Sequence, residues 1–172
     1  MELIIRNKWI TLGGSSYVRD VNENDVLKVK GKIFTFTRKK FVQELDGTNL
    51  YMVRNKFWFL FHRQAFIFDM EGNQLGYIKR KIFSLHDHYD CTCKYGDLKI
   101  IGNILGYDYH ITLNGTEIGH IARKISLRDS FVLELSDDVD WKFFVAFVIA
   151  IDNIVDAMRS DASSTYYSSS SN

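Results

Sequence analysis

The segment that decides the fold lies near the C-terminal end and reads Trp141-Lys142-Phe143-Phe144-Val145-Ala146-Phe147-Val148-Ile149-Ala150-Ile151-Asp152-Asn153-Ile154-Val155. Its apolar side chains recur at helical spacing and also fill the remaining faces, which is typical of a helix buried on all sides. The uninterrupted apolar run from Phe143 to Ile151 has nine residues, whereas crossing a bilayer takes about 20. The segment therefore predicts a core helix over about residues 140–158 and no transmembrane span. Peripheral membrane contact by this helix is the alternative.

The residues on either side of this helix predict where it starts and ends. Asp137, Asp138 and Asp140 precede it, and carboxylates there can cap free backbone N–H groups and complement the electropositive N-terminus of a helix. Ser160 to Asn172 contains seven serines, a composition that predicts a disordered tail over residues 160–172.

Upstream of the helix, closely spaced turn signals separate short runs of β-forming residues. Such runs include Ile33 to Thr37, Phe57 to Phe61, Ala65 to Phe68, Ile118 to Ile121 and Phe131 to Leu135. Asp46-Gly47 and Asn114-Gly115 are hairpin signals, because both residues of a two-residue hairpin turn take positive φ. The pattern predicts roughly a dozen short strands joined as hairpins.

Two of these hairpins share one sequence pattern. Gly72-x3-Gly76-x-Ile78-x-Arg80-Lys81-Ile82 is matched by Gly115-x3-Gly119-x-Ile121-x-Arg123-Lys124-Ile125, and a weaker third copy starts at Asp46-Gly47. Two clear copies and one weak copy are too few for the blades of a propeller. The repeat instead favours hairpins stacked in a closed antiparallel barrel.

The length of the chain predicts its number of domains, and its charge argues against one class of function. A chain of 172 residues with 46% hydrophobic and 15% aromatic content can bury one sizeable core, so a single domain over residues 1–159 is expected. The 22 basic residues nearly balance the 21 acidic ones. This balance argues against a dedicated nucleic-acid binder, whose partner requires a strongly positive surface.

The cysteines and the first residues both favour a cytoplasmic location. Cys91 and Cys93 are one residue apart, so a strand would place both on one face, where a disulfide between them would be strained. We therefore expect reduced thiols. The apolar run from Leu3 to Ile5 ends at Arg6, too short for a secretory signal.

The sequence resembles the LURP-one-related family over residues 1 to about 159, most specifically after Leu98. The resemblance is carried by Phe68-Asp69-x-x-Gly72-x3-Gly76-x-Ile78, by Leu127-Arg128-Asp129-Ser130-Phe131-x-Leu133, and by Val145-Ala146-Phe147-Val148-Ile149-Ala150-Ile151-Asp152. It implies a tubby-like closed barrel of about twelve strands threaded by the C-terminal helix, a fold shared with tubby proteins and phospholipid scramblases. Those relatives bind phosphoinositides or act on lipids at membranes, whereas LURP-one-related members have no agreed biochemical activity.

One acidic stretch has two interpretations under this resemblance. Asp138-Val139-Asp140-Trp141-Lys142 is similar to the stretch before the scramblase helix that is linked there to calcium. The chain lacks the longer acidic loop, the cysteine-rich region and the proline-rich arm of scramblases. We therefore favour helix capping, which these carboxylates can provide without a metal.

Basic residues form the candidate anion-binding and lipid-binding site. Lysines and arginines alternate along predicted strands at Lys28, Lys30 and Lys32, at Arg38 and Lys40, and at Arg54 and Lys56. The site itself is assigned to the ends of the repeated hairpins, at Lys79, Arg80, Lys81, Arg123 and Lys124. The functional interpretation is a patch for an anionic phospholipid or an acidic protein. The alternative is an ordinary solvated exterior, where charges keep strands from aggregating.

Two members of that set conflict with strict strand alternation. Arg80 shares a face with Ile78, and Arg123 with Ile121, so both arginines would point toward the core. A buried guanidinium needs a carboxylate or must turn outward at a bulge. The candidate partners are Asp87, Asp129, Asp152 and Asp156.

No catalytic or metal-binding pattern stands out. His86-Asp87-His88 with Asp90 comes from one local segment and is most simply a polar turn, and the chain has no Gly-x-Ser-x-Gly elbow. We therefore expect a non-enzymatic binding or scaffolding module without cofactor or metal, cytoplasmic and peripheral at the membrane. The alternatives are an enzyme with an unrecognised pocket and a nucleic-acid binder.

Overall fold

The structure is a computed structural model that describes residues 1–6, 15–32, 37–56, 64–80, 87–103, 108–124 and 130–169. At residues 6, 87, 88, 103, 123, 124 and 158–169 only the backbone is described.

These residues form twelve strands and one helix. The strands are β1 (Glu2–Arg6), β2 (Ser15–Asp20), β3 (Asp25–Gly31), β4 (Lys40–Gln43), β5 (Asn49–Asn55), β6 (Gln64–Phe68), β7 (Gln74–Arg80), β8 (Asp87–Cys93), β9 (Gly96–Asn103), β10 (Asp108–Leu113), β11 (Thr116–Lys124) and β12 (Ser130–Leu135). The helix is α1 (Trp141–Ser169).

The strands close into one antiparallel barrel in sequence order. Each strand pairs with its neighbours along the chain, and β1 closes the ring because it pairs with both β2 and β12. At this seam Leu3 lies opposite Asp20 on one side and Leu133 on the other. The closed barrel of about twelve antiparallel strands is thus confirmed, and closure leaves no strand edge exposed along the ring.

Helix α1 lies in the core that the strands enclose. Phe143, Phe144 and Phe147 are fully buried, and their rings pack edge-to-face or stacked with centroids 5.2 to 6.0 Å apart. They belong to the same apolar cluster as the inward side chains of the strands, such as Val53 and Ile67. The prediction of a buried helix apolar on all sides is confirmed. In the described parts of the chain, no helix combines the length and apolar character needed to cross a membrane.

Asp140 caps the start of this helix, as the acidic residues predict. Its Oδ1 accepts a hydrogen bond from the Phe143 N–H at 3.1 Å, and its backbone carbonyl accepts one from Phe144 at 3.1 Å. The other carboxylate oxygen accepts the hydroxyls of Tyr95 at 2.7 Å and Tyr51 at 3.2 Å. The same residue therefore caps the helix and ties it to β5 and to the β8–β9 turn.

The electrostatics around this cap keep Asp140 ionised. Burial opposes its charge, but hydrogen bonds from Tyr95 and the Phe143 N–H, together with the Lys94 ammonium, hold its pKa below the ordinary value. Burial and the neighbouring carboxylate raise the pKa of Tyr51 to about 12. Tyr51 therefore stays protonated and continues to donate its hydrogen bond.

The helix extends further than the sequence pattern predicts. It ends at Ser169, whereas the pattern predicts a helix to about residue 158 and a tail from residue 160. The segment from Trp141 to Ser169 contains neither glycine nor proline. Because an established helix is lengthened at small cost per residue, serines alone do not terminate it.

The turns divide the hairpin predictions into two groups. Asn114 and Gly115 both have positive φ, at 51° and 85°, which confirms a two-residue turn. At Asp46-Gly47 only the glycine does, with φ of 93°; the predicted hairpin forms between β4 and β5, but its turn is not the two-residue type. Asp46 instead accepts the Thr48 N–H through its side chain in a longer loop.

The repeated glycines have two separate physical roles. Gly72 and Gly115 occupy turns with φ of 94° and 85°, where side chains are strained. Gly76 lies against the helix, where a Cβ would stand 2.9 Å from the Phe147 ring. Gly119 lies against β12, where a Cβ would stand 2.5 Å from the Glu134 carbonyl oxygen. The repeat therefore reflects turn geometry and close packing.

Both cysteines on β8 are free thiols, as expected. Cys91 is buried, and burial raises the pKa of its thiol.

Candidate functional site

The outer surface of β3 to β6 carries one row of apolar side chains that begins with a lysine. Lys30 lies opposite Phe41, Phe41 opposite Met52, and Met52 opposite Phe68. Directly paired residues point to the same side of a sheet. Lys30 is exposed and the other three are half-buried, so the row lies on the outside of the barrel.

A second row runs beside it from β5 to β7. Arg54 lies opposite Phe66, and Phe66 lies opposite Tyr77. Two residues along the same strands, Gln64 lies opposite Lys79, and Lys79 is exposed. The alternation that turns these residues outward is set by the buried residues between them, such as Val53, Ala65 and Ile78.

We call this surface the aromatic–cationic face, defined by Lys30, Phe41, Met52, Arg54, Phe66, Phe68, Tyr77 and Lys79. Its rings are in contact with each other: Phe66 lies 6.3 Å from Phe68 and 5.5 Å from Tyr77 between centroids. The Arg54 guanidinium carbon stands 4.9 Å from the Phe68 centroid and 5.9 Å from that of Phe66. Such cation–π contacts hold a cation over apolar surface.

Charge is distributed unevenly around the barrel. Strands β4 to β7 contain no aspartate or glutamate in their sequences. Strands β8 to β11 carry Asp87, Asp90, Asp97, Asp108 and Glu117. Asp90 lies opposite Lys79 in register, so the boundary of the aromatic–cationic face is at β8. This local asymmetry exists although the formal net charge of the whole chain is only +1.

The predicted site residues are divided between two parts of the barrel. Lys79 and Arg80 lie on β7, and Arg123 and Lys124 end β11, with β8, β9 and β10 between these strands. Lys81 lies outside the described residues. The ends of the repeated hairpins are therefore not adjacent, and of this set Lys79 belongs to the aromatic–cationic face.

The position of Arg80 agrees with the strand alternation in the sequence, which places it on the core side of β7. It lies opposite Tyr89 in register, which is 3% exposed, and it is itself half-buried at the end of its strand. Asp152 was a candidate carboxylate for Arg80 or Arg123, but it pairs with a different cation.

That cation is Lys40, which the sequence pattern assigns to the exterior. The structure contradicts this assignment: Lys40 is 6% exposed, and its Nζ donates to Asp152 Oδ2 at 2.9 Å. Lys40 is paired in register with the buried Val53, and Arg38 before it has a positive φ of 48°, which interrupts the strand. A carboxylate inside the barrel provides the partner that a buried ammonium requires.

Two buried asparagines extend this polar cluster. Asn55 Nδ2 donates to the Asn153 carbonyl at 3.2 Å, and Asn153 Nδ2 donates to the Arg38 carbonyl at 2.9 Å. Both asparagines are completely buried. The cluster fixes the rotation of the helix against β4 and β5.

Asp156 lies one helical turn after Asp152 beside the same cluster. Burial, together with the Asp152 carboxylate, raises its pKa to about 6 against the opposing effect of Lys40 and Arg38. This carboxyl is therefore ionised in the fold only at near-neutral pH and above.

The structure also brings together residues suited to a metal, which the sequence analysis missed. Asp108, His110 and His120 lie on β10 and β11 with potential ligand atoms within 4.8 Å of one another. His110 and His120 flank the Asn114-Gly115 turn, and that hairpin is the signal that could have suggested their proximity. Of the segment considered at first, His86 lies outside the described residues and Asp87 and His88 are described by backbone alone.

Comparison with known proteins places the chain in a family. A protein from Arabidopsis thaliana with an X-ray structure is similar to it, with a TM-score of 0.64 over 89% of this chain and 90% of that chain. The two are 19% identical, so this likeness shows the fold alone. None of the curated proteins matches the chain. The family model for LURP-one-related proteins matches residues 1–152. The protein therefore belongs to the LURP-one-related family.

Proposed function

We propose that this barrel is a non-enzymatic module that docks on anionic lipid membranes through the aromatic–cationic face. One observation carries the proposal. On the outside of β3 to β7, aromatic side chains and cations share one surface, and β4 to β7 contribute no carboxylate side chain to it.

The physical chemistry of a membrane surface matches both components of this face. Aromatic side chains are favourable at the boundary between headgroups and acyl chains. Lysine and arginine lay their methylene stems on apolar surface and keep their charge at the headgroups. Each such cation contributes about 1 kcal/mol near an anionic leaflet. Exposed Lys30 and Lys79 stand on opposite sides of the ring cluster, where both could reach headgroups.

The helix supports this choice of surface indirectly. Its apolar residues from Phe143 to Ile151 are buried in the barrel, so a membrane would meet the strand exterior and not the helix. Docking would then be peripheral, on the cytoplasmic leaflet where anionic lipids concentrate. The resemblance to tubby proteins and phospholipid scramblases favours the same class of ligand.

Vesicle co-sedimentation tests the proposal. The protein should bind phosphatidylcholine vesicles that contain phosphatidylserine, bind pure phosphatidylcholine weakly, and dissociate as salt is raised. Lys30→Glu and Lys79→Glu should each lower the partition coefficient at least about fivefold. Lys99→Glu is the matched control, because it makes the same change in charge at an exposed position on β9 that is 65% accessible.

A substitution in the aromatic part of this face distinguishes a lipid ligand from an acidic protein partner. Phe68→Ser should weaken vesicle binding, because the aromatic ring can insert into the membrane interface. The same variant should leave retention on immobilised polyglutamate unchanged, because a charged polymer offers the ring no apolar surface. Retention on polyglutamate without vesicle binding would support an acidic partner and contradict the lipid proposal. Equal loss from Lys99→Glu and Lys79→Glu would contradict the assignment to this face.

The predicted hairpin ends provide one further comparison. If they formed the lipid site, Lys81→Glu and Lys124→Glu would weaken vesicle binding as strongly as Lys79→Glu. We expect Lys124→Glu to have the smaller effect, because β11 is separated from β7 by three strands.

A further inference from the structure

A row of imidazoles and carboxylates lies on the outer surface of β10, β11 and β12. His110 lies opposite His120, and His120 lies opposite Glu134. Asp108 precedes His110 by two residues on the same strand, so it points to the same side. Asp108, His110 and Glu134 are exposed and His120 is half-buried.

The side chains of this row already contact one another. His120 Nε2 lies 2.5 Å from Asp108 Oδ1, and His110 Nδ1 lies 2.9 Å from Glu117 Oε1. The two imidazole rings have centroids 4.7 Å apart. The possible ligand atoms of Asp108, His110 and His120 all lie within 4.8 Å of one another.

From this geometry we infer a binding site for a divalent transition-metal ion, of which Zn²⁺ is the type, formed by Asp108, His110 and His120. Two imidazoles and one carboxylate suit such ions, whereas Ca²⁺ and Mg²⁺ prefer oxygen ligands alone. Zinc binds nitrogen and oxygen at about 2.0 to 2.2 Å, so small side-chain rotations must bring the three donors closer together.

Glu117 acts as a positioning residue for this site. Its contact with Nδ1 of His110 leaves Nε2 of that ring to face the ion. Metal-bound histidines commonly direct their second ring nitrogen to a carboxylate, which fixes the tautomer and the ring orientation. Glu134 lies next to His120 in register, and a water molecule would supply the fourth ligand that zinc requires.

The barrel preorganises these ligands. All three stand on paired strands of a closed sheet, so the backbone does not have to rearrange. The ion would replace the hydrogen bond between Asp108 and His120, and any proton on these rings would be released.

Isothermal titration of the full chain with Zn²⁺, in a reducing buffer without chelators, tests the site. We expect one ion per chain and no competition from a large excess of Mg²⁺ or Ca²⁺. His110→Asn and His120→Asn should each lower the affinity at least tenfold. Glu117→Gln should lower it about tenfold with unchanged stoichiometry, as expected for a residue that orients a ligand.

The chain offers a matched control in its other histidines. His86→Asn combined with His88→Asn removes two imidazoles from another part of the chain and should leave the zinc affinity unchanged, because β8, which carries His88, is separated from β10 by β9. Circular dichroism of each variant without metal checks the fold. Co²⁺ absorption without a thiolate charge-transfer band would exclude the cysteines as ligands. Zinc affinity that survives His110→Asn and His120→Asn, or that is lost in the control, would overturn the inference.

Discussion

The ammonium of Lys40 lies 2.9 Å from the Oδ2 atom of Asp152 inside the barrel. The two residues are separated by 112 positions in sequence, and their side chains are 7% and 4% exposed. This buried ion pair joins β4 to the core helix. Burial makes each charge costly alone, so the pair contributes mainly by satisfying both groups at once.

Lys40→Met should destabilise the domain by about 3 to 5 kcal/mol, because it leaves the Asp152 carboxylate buried without its partner. Adding Asp152→Leu to this variant should restore much of the loss, since an apolar pair of similar volume avoids the uncompensated charge. Urea denaturation of the single and double variants measures this coupling. Lys30→Met, on the outer face of the neighbouring strand, is the control and should change stability by about 0.5 kcal/mol or less. Losses that simply add in the double variant would contradict the pairing.

Asp156 should make stability depend on pH. Its pKa is raised from 3.8 to about 6, so the folded chain holds this proton more tightly than the unfolded chain. Stability contributed by the protonated form is therefore present at low pH and is lost as pH rises from about 4 to about 6.

The amide side chain introduced by Asp156→Asn cannot ionise, so this variant should not lose stability as pH rises. Because Asp156 is partly exposed to solvent, the expected gain in the free energy of unfolding at neutral pH is only about 1 kcal/mol. For a domain of this size this corresponds to a rise in Tm of about 2–4 °C. Thermal melts from pH 4 to pH 7 test it. The difference from the wild type should widen as pH rises, whereas Asp97→Asn, at a carboxylate that is 70% exposed, should show no such trend. A difference independent of pH would count against this account.

Phe147 should be among the most sensitive positions in the core helix. It is fully buried and its ring packs on Phe143 at 5.2 Å and Phe144 at 6.0 Å. Phe147→Ala should cost about 3 to 5 kcal/mol, and Phe147→Asp should prevent folding because it adds an unpaired buried charge. Near-ultraviolet circular dichroism and urea melts measure both. A soluble 1–140 fragment with a cooperative melt would disprove the role of the helix as the core.

The serine-rich end should be dispensable. We expect removal of residues 160–172 to leave the Tm within about 1 °C, because a segment with seven serines has little apolar surface to contribute to the core. Hydrogen exchange of the full chain gives an independent measurement, because the end of a helix that packs against nothing opens and exchanges faster than its buried part. A drop of several degrees on truncation would mean that this segment packs on the barrel.

A side chain at position 76 should destabilise the fold while Phe147 is present. A Cβ there would lie 2.9 Å from the tip of the ring and 3.4 Å from the Thr92 carbonyl oxygen, so Gly76→Ala should destabilise by about 1 to 3 kcal/mol through overpacking. Phe147→Leu should relieve part of this cost in the double variant, and a double-mutant cycle by urea denaturation measures the coupling. Purely additive effects would show that the contact is not the cause.

Local rules gave reliable predictions wherever the cause was local. The helix followed from the spacing of apolar residues around Phe147, its start from Asp140, and one hairpin from Asn114-Gly115. At Asp46-Gly47 the same rules predicted the hairpin between β4 and β5 but not its longer loop, in which the side chain of Asp46 accepts the Thr48 N–H. They also assigned Lys40 to the exterior, because a charged residue in a strand is usually solvated and its partner lies 112 residues away.

The two proposed surfaces depend on register, which no short segment specifies. The turn alone would pair His110 with Gly119, but a bulge between Ile111 and Thr112 shifts the pairing and places His110 opposite His120. The aromatic–cationic face likewise combines side chains from five strands whose neighbours are set by barrel closure.

The sequence by itself determined that a helix apolar on all sides must be enclosed by hairpins, because burial of apolar surface outweighs every other local preference. Only the tertiary structure decided which charge enters the barrel and which histidines meet on its surface. Both outcomes depend on strand pairing and on contacts between residues far apart in the chain, where the partner of a side chain exists only after the ring has closed.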